Sequence, residues 1–120
     1  MSAIDFVPRN CLQGSYGESI INVLLDPGSI PVSYVNADWA AKQKLVFNRL
    51  ETPKRIRYPT GEVVWSFAFV EFSFLINRKT SFSRFTTPLL RFFCVSDLQP
   101  EIILGSRHLY EMDLYDELPN

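Results

Sequence analysis

The chain has little that suits metal or cofactor chemistry: one histidine, two cysteines and five glycines in 120 residues. No His/Cys cluster shows metal-ligand spacing and no Gly-rich phosphate loop is present, so neither metal nor nucleotide chemistry has support, and no cofactor is expected. No internal repeat is detectable. An excess of one charge is missing too, with 13 acidic residues against 12 basic ones and a formal net charge of −1. Nothing in that balance draws the chain to nucleic acid or to an anionic membrane. No apolar run approaches the roughly 20 residues of a membrane helix. The start, Met1-Ser2-Ala3-Ile4-Asp5, lacks the basic region and apolar segment of a signal peptide. The expectation is a soluble intracellular protein. There Cys11 and Cys94, which could in principle pair, stay reduced thiols, one of them in a strand.

Apolar residues are plentiful: 47% of the chain, with ten Phe. One domain with a single modest core is what this length allows. Turn signals divide short β-like runs, and only two segments look helical, so the fold class is all-β. Gly14-Ser15-Tyr16-Gly17 reads as the exposed turn of an opening hairpin whose second strand is 19–25. The segment 36–45 has the N-cap, early acid and late lysines of a short helix, with Trp39, Ala40 and Leu45 as its apolar side. Lys54-Arg55-Ile56-Arg57-Tyr58, the turn Pro59-Thr60-Gly61 and the run 62–76 form a hairpin with a projecting tip. Within that run Trp65, Phe67 and Phe69 share one face, while Val70, Phe72 and Phe74 share the other. A strand of period two then needs a bulge, or must leave one packing surface for another; the aromatics are read as core either way. Phe85 to Val95 is a further strand interrupted by Pro88, an edge signal. Ser106 caps a terminal helix through Met112, and the acidic tail from Asp113 to Asn120 is expected to be loosely ordered.

The candidate functional residue is Asp26. The run Ile20-Ile21-Asn22-Val23-Leu24-Leu25 suits a strand covered on both faces, and Asp26-Pro27-Gly28-Ser29 ends it abruptly. A carboxylate is thereby held at the rim of a rigid sheet. A second stretch, Ile102-Ile103-Leu104-Gly105, repeats the design of apolar strand into glycine. His108 lies beside Arg107 on the terminal helix, where packing or a surface position explains it better than catalysis. Arg49, Lys54, Arg55 and Arg57, with Tyr58, read as a solvated strand face rather than a nucleic-acid site.

The order of these features resembles the retropepsins, the aspartic protease domains of retroviruses and long-terminal-repeat retrotransposons. The resemblance spans roughly Leu12 to Leu114. Leu24-Leu25-Asp26-Pro27-Gly28-Ser29 is similar to the family's apolar-apolar-Asp-Ser/Thr-Gly-Ala/Ser. Ile103-Leu104-Gly105 resembles its second glycine motif, about eighty residues on. Leu109 matches an apolar position of the final helix, and Ser106 stands where retroviral members often have Arg.

The resemblance implies a small closed β-barrel with a flap hairpin and a short C-terminal helix. It implies a homodimer in which each subunit gives one Asp26 to a shared dyad that activates water against a peptide bond, as in processing a retroelement polyprotein. Gly28 and Ser29 would shape the active-site loop. Tyr58, Pro59, Thr60 and Gly61 would be the flap that clamps an extended peptide. Pro27 departs from the family's Ser or Thr and supplies neither hydroxyl nor N–H for the usual grip across the dimer. Two readings therefore stand: an active aspartic endopeptidase, or a pseudoprotease, such as a domesticated relative, that keeps the fold for dimerisation or peptide binding.

Overall fold

A computed structural model of the chain describes residues 10–28, 31–58 and 61–118. Among these residues nine strands form one mixed sheet: β1 Cys11–Tyr16, β2 Ser19–Leu25, β3 Ser33–Asn36, β4 Asn48–Arg57, β5 Val63–Phe72, β6 Leu75–Asn77, β7 Arg84–Thr86, β8 Leu90–Val95 and β9 Ile102–Leu104. Two short helices, α1 Ala37–Lys42 and α2 Ser106–Glu111, accompany them. The order across the sheet is β4-β5-β8-β3-β9-β2-β1-β6-β7, which is mostly-β as expected but open rather than a closed barrel. Both edges are unsuited to closing on each other. β7 is three residues long, and β4 is broken by a register shift between Arg49 and Lys54 around Pro53, a residue with no N–H to offer a neighbour.

The opening hairpin is present, but its turn lies at Gly17 and Glu18. Gly14 sits inside β1, paired with Ile21 on one side and Ile76 on the other. A Cβ there would lie 2.2 Å from the Leu75 carbonyl oxygen, so the glycine serves the close approach of β6 and not a turn.

The hairpin β4–β5 bears out the strand reading as far as Phe72, but the run expected to continue to Ile76 breaks at Ser73 and Phe74, and Leu75–Asn77 is a separate strand, β6, paired with β1 and β7 at the other end of the sheet. Alternation holds along β5, with Val64, Ser66, Ala68, Val70 and Phe72 on one side, and the strand does leave one packing surface for another: Val64 packs against the cluster of Tyr34 and Ile56, whereas Val70 and Phe72 belong to the main core. Small residues fill its first inward positions, leaving Trp65 and Phe67 outward, 53% and 63% exposed, and not in the core. The bulge falls on the partner strand, and β5 passes from pairing with β4 to pairing with β8 at Phe69. Phe85 to Val95 is likewise two strands, with β7 at the sheet edge and Pro88 between them.

The main core gathers Leu12, Ile21, Val23, Leu25, Val35, Phe72, Phe92, Leu104 and Leu109. Phe72 is its aromatic hub, with ring centroids 4.7 Å from Phe92, 5.4 Å from Tyr16 and 5.7 Å from both Trp39 and Phe74. Helix α1 starts where Asn36 accepts the Trp39 N–H at 2.9 Å, and it buries Ala40 against this core. Helix α2 differs from expectation: Gly105 is the N-cap and no side chain caps it, because Ser106 is already in the first turn. The tail is also more ordered than expected. Tyr115–Glu117 forms a 3-10 turn, and the buried Glu117 carboxylate accepts the N–H groups of Lys79 at 2.7 Å and Thr80 at 3.2 Å and the Thr80 hydroxyl. Burial raises the carboxyl's affinity for a proton, but those hydrogen bonds and the Arg78 charge outweigh it and hold the Glu117 pKa below its ordinary value. Both cysteines are free and buried in strands, and desolvation pushes the Cys94 thiol up to about 11.

Candidate functional site

The two glycine motifs, distant in sequence, meet in the structure. β2 and β9 run parallel, with Val23, Leu24 and Leu25 opposite Ile102, Ile103 and Leu104. β3 returns antiparallel on the far side of β9, pairing Tyr34 with Ile103 and Val35 with Ile102. The β2 ladder ends with the Asp26 N–H donating to the Leu104 carbonyl at 3.0 Å, so the carboxylate emerges where the two motifs touch. Asp26 is half-buried, and its Oδ1 accepts the Gly28 N–H at 3.0 Å, which closes the loop into an Asx turn. Pro27 stands exposed at the apex.

Gly105 is the keystone of this junction. A Cβ on it would lie 2.1 Å from the Val32 carbonyl oxygen and 2.8 Å from the Pro31 carbonyl carbon, so no other residue lets the chain after Asp26 cross here. The Gly105 N–H donates to the Ser33 hydroxyl at 2.9 Å, and the Ser33 hydroxyl is 2.6 Å from His108 Nδ1. The Gly105 N–H takes one acceptor position of the Ser33 hydroxyl, and the direction of the Ser33–His108 bond is set by the imidazole tautomer. Burial lowers the His108 pKa, with Glu111 pulling the other way and Arg107 adding to the depression. His108 thus has a packing and hydrogen-bonding role. Ser33 is 1% exposed, so its hydroxyl is closed to a substrate in this arrangement.

Alternation along β2 sends Leu25 into the main core and puts Leu24 and Asp26 on the opposite face. That face carries a second apolar cluster of Tyr34, Ile56, Val95, Leu98 and Ile103, flanked by Leu24, Val32, Tyr58, Val64 and Phe93. Ile56, Tyr58 and Val64 come from the β4–β5 hairpin, so the expected flap overlies the face that bears Asp26. At its tip the Tyr58 N–H bonds the Glu62 carbonyl at 2.8 Å, and Gly61 takes φ 93°. Ser29, Pro59 and Thr60 lie outside the described residues. Of the basic strand, Arg49, Arg55 and Arg57 are exposed as expected, and Lys54 is half-buried with its ammonium 5.1 Å over the Phe93 ring.

Among the described residues no group of three or more His, Cys, Asp or Glu could hold a metal ion. Nor is any helix among them long and apolar enough to cross a membrane. Sequence reasoning missed Ser33, Tyr34 and the partner of His108. Ser33 and His108 are 75 positions apart, and no local pattern links them. Comparison with protein families, curated proteins and solved structures finds no match to this chain.

Proposed function

We propose that the chain is a retropepsin-like aspartic endopeptidase of retroelement type, which hydrolyses peptide bonds in a polyprotein as a homodimer with a shared Asp26–Asp26 dyad. The observation that carries the proposal is the meeting of the two motifs: the Asp26 N–H on the Leu104 carbonyl, with Gly105 packed beneath Pro31 and Val32. An acid held by backbone at a strand end, on the face covered by a hairpin, is placed to act on a peptide lying between sheet and hairpin. One chain contributes one such acid, so the second must come from another copy.

Two carboxylates within a few ångströms cannot both ionise cheaply and so share a proton. The ionised one takes a proton from a water as that water attacks the scissile carbonyl. The protonated one donates to the carbonyl oxygen, and proton return to the amide nitrogen releases the two products. The Gly28 N–H on Asp26 Oδ1 fixes the plane of the carboxylate. The hairpin tip at Tyr58 and Gly61 would close over the peptide and exclude water.

Pro27 favours a second reading, the pseudoprotease that binds peptide or dimerises without turnover. Proline has no N–H and no hydroxyl for a partner copy, and two such symmetric bonds are worth on the order of 1 kcal/mol each. A cleavage assay on an extended apolar peptide at mildly acidic pH separates the two. The protease reading expects turnover that a hydroxyl-bearing transition-state mimic blocks and that Asp26→Asn removes. A stable dimer without turnover supports the pseudoprotease, and unchanged turnover in Asp26→Asn contradicts the catalytic assignment.

A further inference from the structure

The face that carries Asp26 also buries two hydroxyls that have no hydrogen-bond partner among the described residues. Tyr34, Ile103 and Leu24 form one row across β3, β9 and β2, and Asp26 follows Leu24 on the same side of its strand. Tyr34 is 1% exposed among Ile56, Val95, Leu98 and Ile103, and Tyr58 packs against the same cluster from the hairpin. Among the described residues neither phenol oxygen is hydrogen-bonded. Burial, then the Asp26 charge, then Tyr58 all raise the Tyr34 pKa, so this phenol is a protonated donor wherever a carboxylate pair could act.

For stability alone this cluster would be better built with phenylalanine, since an unpaired buried hydroxyl is destabilising. Buried polar groups without a partner call for an explanation, and a ligand that supplies the missing acceptor is one. An apolar side chain seated there would leave both hydroxyls unpaired. A carboxylate would meet the negative charge of Asp26, and an ammonium would lose its hydration among Ile56, Val95 and Leu98. An uncharged carbonyl at the end of a long side chain accepts from both phenols without either penalty.

We propose that Tyr34 and Tyr58 form the polar floor of a side-chain subsite beneath the β4–β5 hairpin, selecting a peptide residue that ends in a carboxamide, glutamine above all. The proposal rests on the endopeptidase reading of Asp26 and names part of its substrate class. Entry of the side chain requires the hairpin to lift; the hairpin lies at the sheet's β4 edge and carries Gly61 at its tip.

The test uses peptides identical except for glutamine or the similarly sized methionine, placed in turn on either side of the scissile bond, with the wild-type chain and Tyr34→Phe. At one position the wild type is expected to favour glutamine in kcat/KM by at least about tenfold. In Tyr34→Phe the ratio should fall toward unity while the Tm of the free protein rises. Equal wild-type rates on both peptides at both positions, a ratio that survives in Tyr34→Phe, or a lowered Tm in that variant would overturn the subsite. If the wild type cleaves neither peptide, the reading of Asp26 fails separately, and calorimetric binding to Asp26→Asn decides the subsite: tighter binding of the glutamine peptide sustains it, while equal or absent binding overturns it.

Discussion

The two sides of Asp26 are built on opposite principles. Behind it, the chain crossing at β2, β9 and β3 is tied by successive hydrogen bonds and leaves no room: Asp26 bonds Leu104, Gly105 bonds Ser33, Ser33 bonds His108, and Gly105 has no space for a methyl group. In front of it, the β4–β5 hairpin covers a small apolar cluster with two hydroxyls unpaired among the described residues, a register shift and Gly61 at φ 93° with nothing within 4 Å of a Cβ. The difference teaches where precision is needed. On the endopeptidase reading, the reacting carboxylate would be held by the part that cannot rearrange, and a ligand would be admitted by the hairpin.

Breaking the rigid side should have the largest consequence. Gly105→Ala forces a carbon into the Val32 carbonyl and is expected to destabilise the fold by at least about 3 kcal/mol in chemical denaturation, or to prevent folding. Gly61→Ala strains only its own φ and should cost about 1 kcal/mol. Near-equal losses in the two variants would erase the contrast.

A smaller effect is expected from Ser33→Ala, which orphans the Gly105 N–H and removes the hydrogen bond to His108, at about 2 kcal/mol. His108 adds a pH dependence with a definite sign. Its folded pKa lies below the ordinary 6.5, so the unfolded chain binds the proton more readily. The contribution is complete above that value and declines as pH falls from it toward the folded pKa. Denaturation midpoints across this range should show the decline in the wild type and lose it in His108→Gln.

The smallest effect belongs to the outer face of the hairpin. Phe67→Ser touches a side chain that is 63% exposed and should change stability by no more than about 0.5 kcal/mol. A loss of several kcal/mol would mean that this face is covered after all.

Much of the site was legible because its signals are local. An apolar run into Asp-Pro-Gly marks a strand end, a second run into glycine marks another, and Tyr58 to Gly61 marks a hairpin tip. What joins them was not legible. An open or a closed sheet depends on whether β4 and β7 meet, and the one local hint against it, Pro53 within β4, does not say which strand would have been its neighbour. Alternation in β5 showed two faces without saying which is inside; Ser66 and Ala68 point inward, and Trp65 and Phe67 are left to solvent. The anchoring of Glu117 on Lys79 and Thr80 likewise joins segments far apart in sequence, so the tail read as unattached.

The central claim is that Asp26 is half of a pair completed by another copy of the chain. It is tested most directly by cleavage in mixtures of wild-type and Asp26→Asn chains at fixed total concentration, allowed to exchange subunits. A shared dyad predicts that activity falls as the square of the wild-type fraction, to about a quarter in an equal mixture, because only dimers with two Asp26 residues turn over. A linear fall, to about half, would mean that each chain acts alone and would contradict the account.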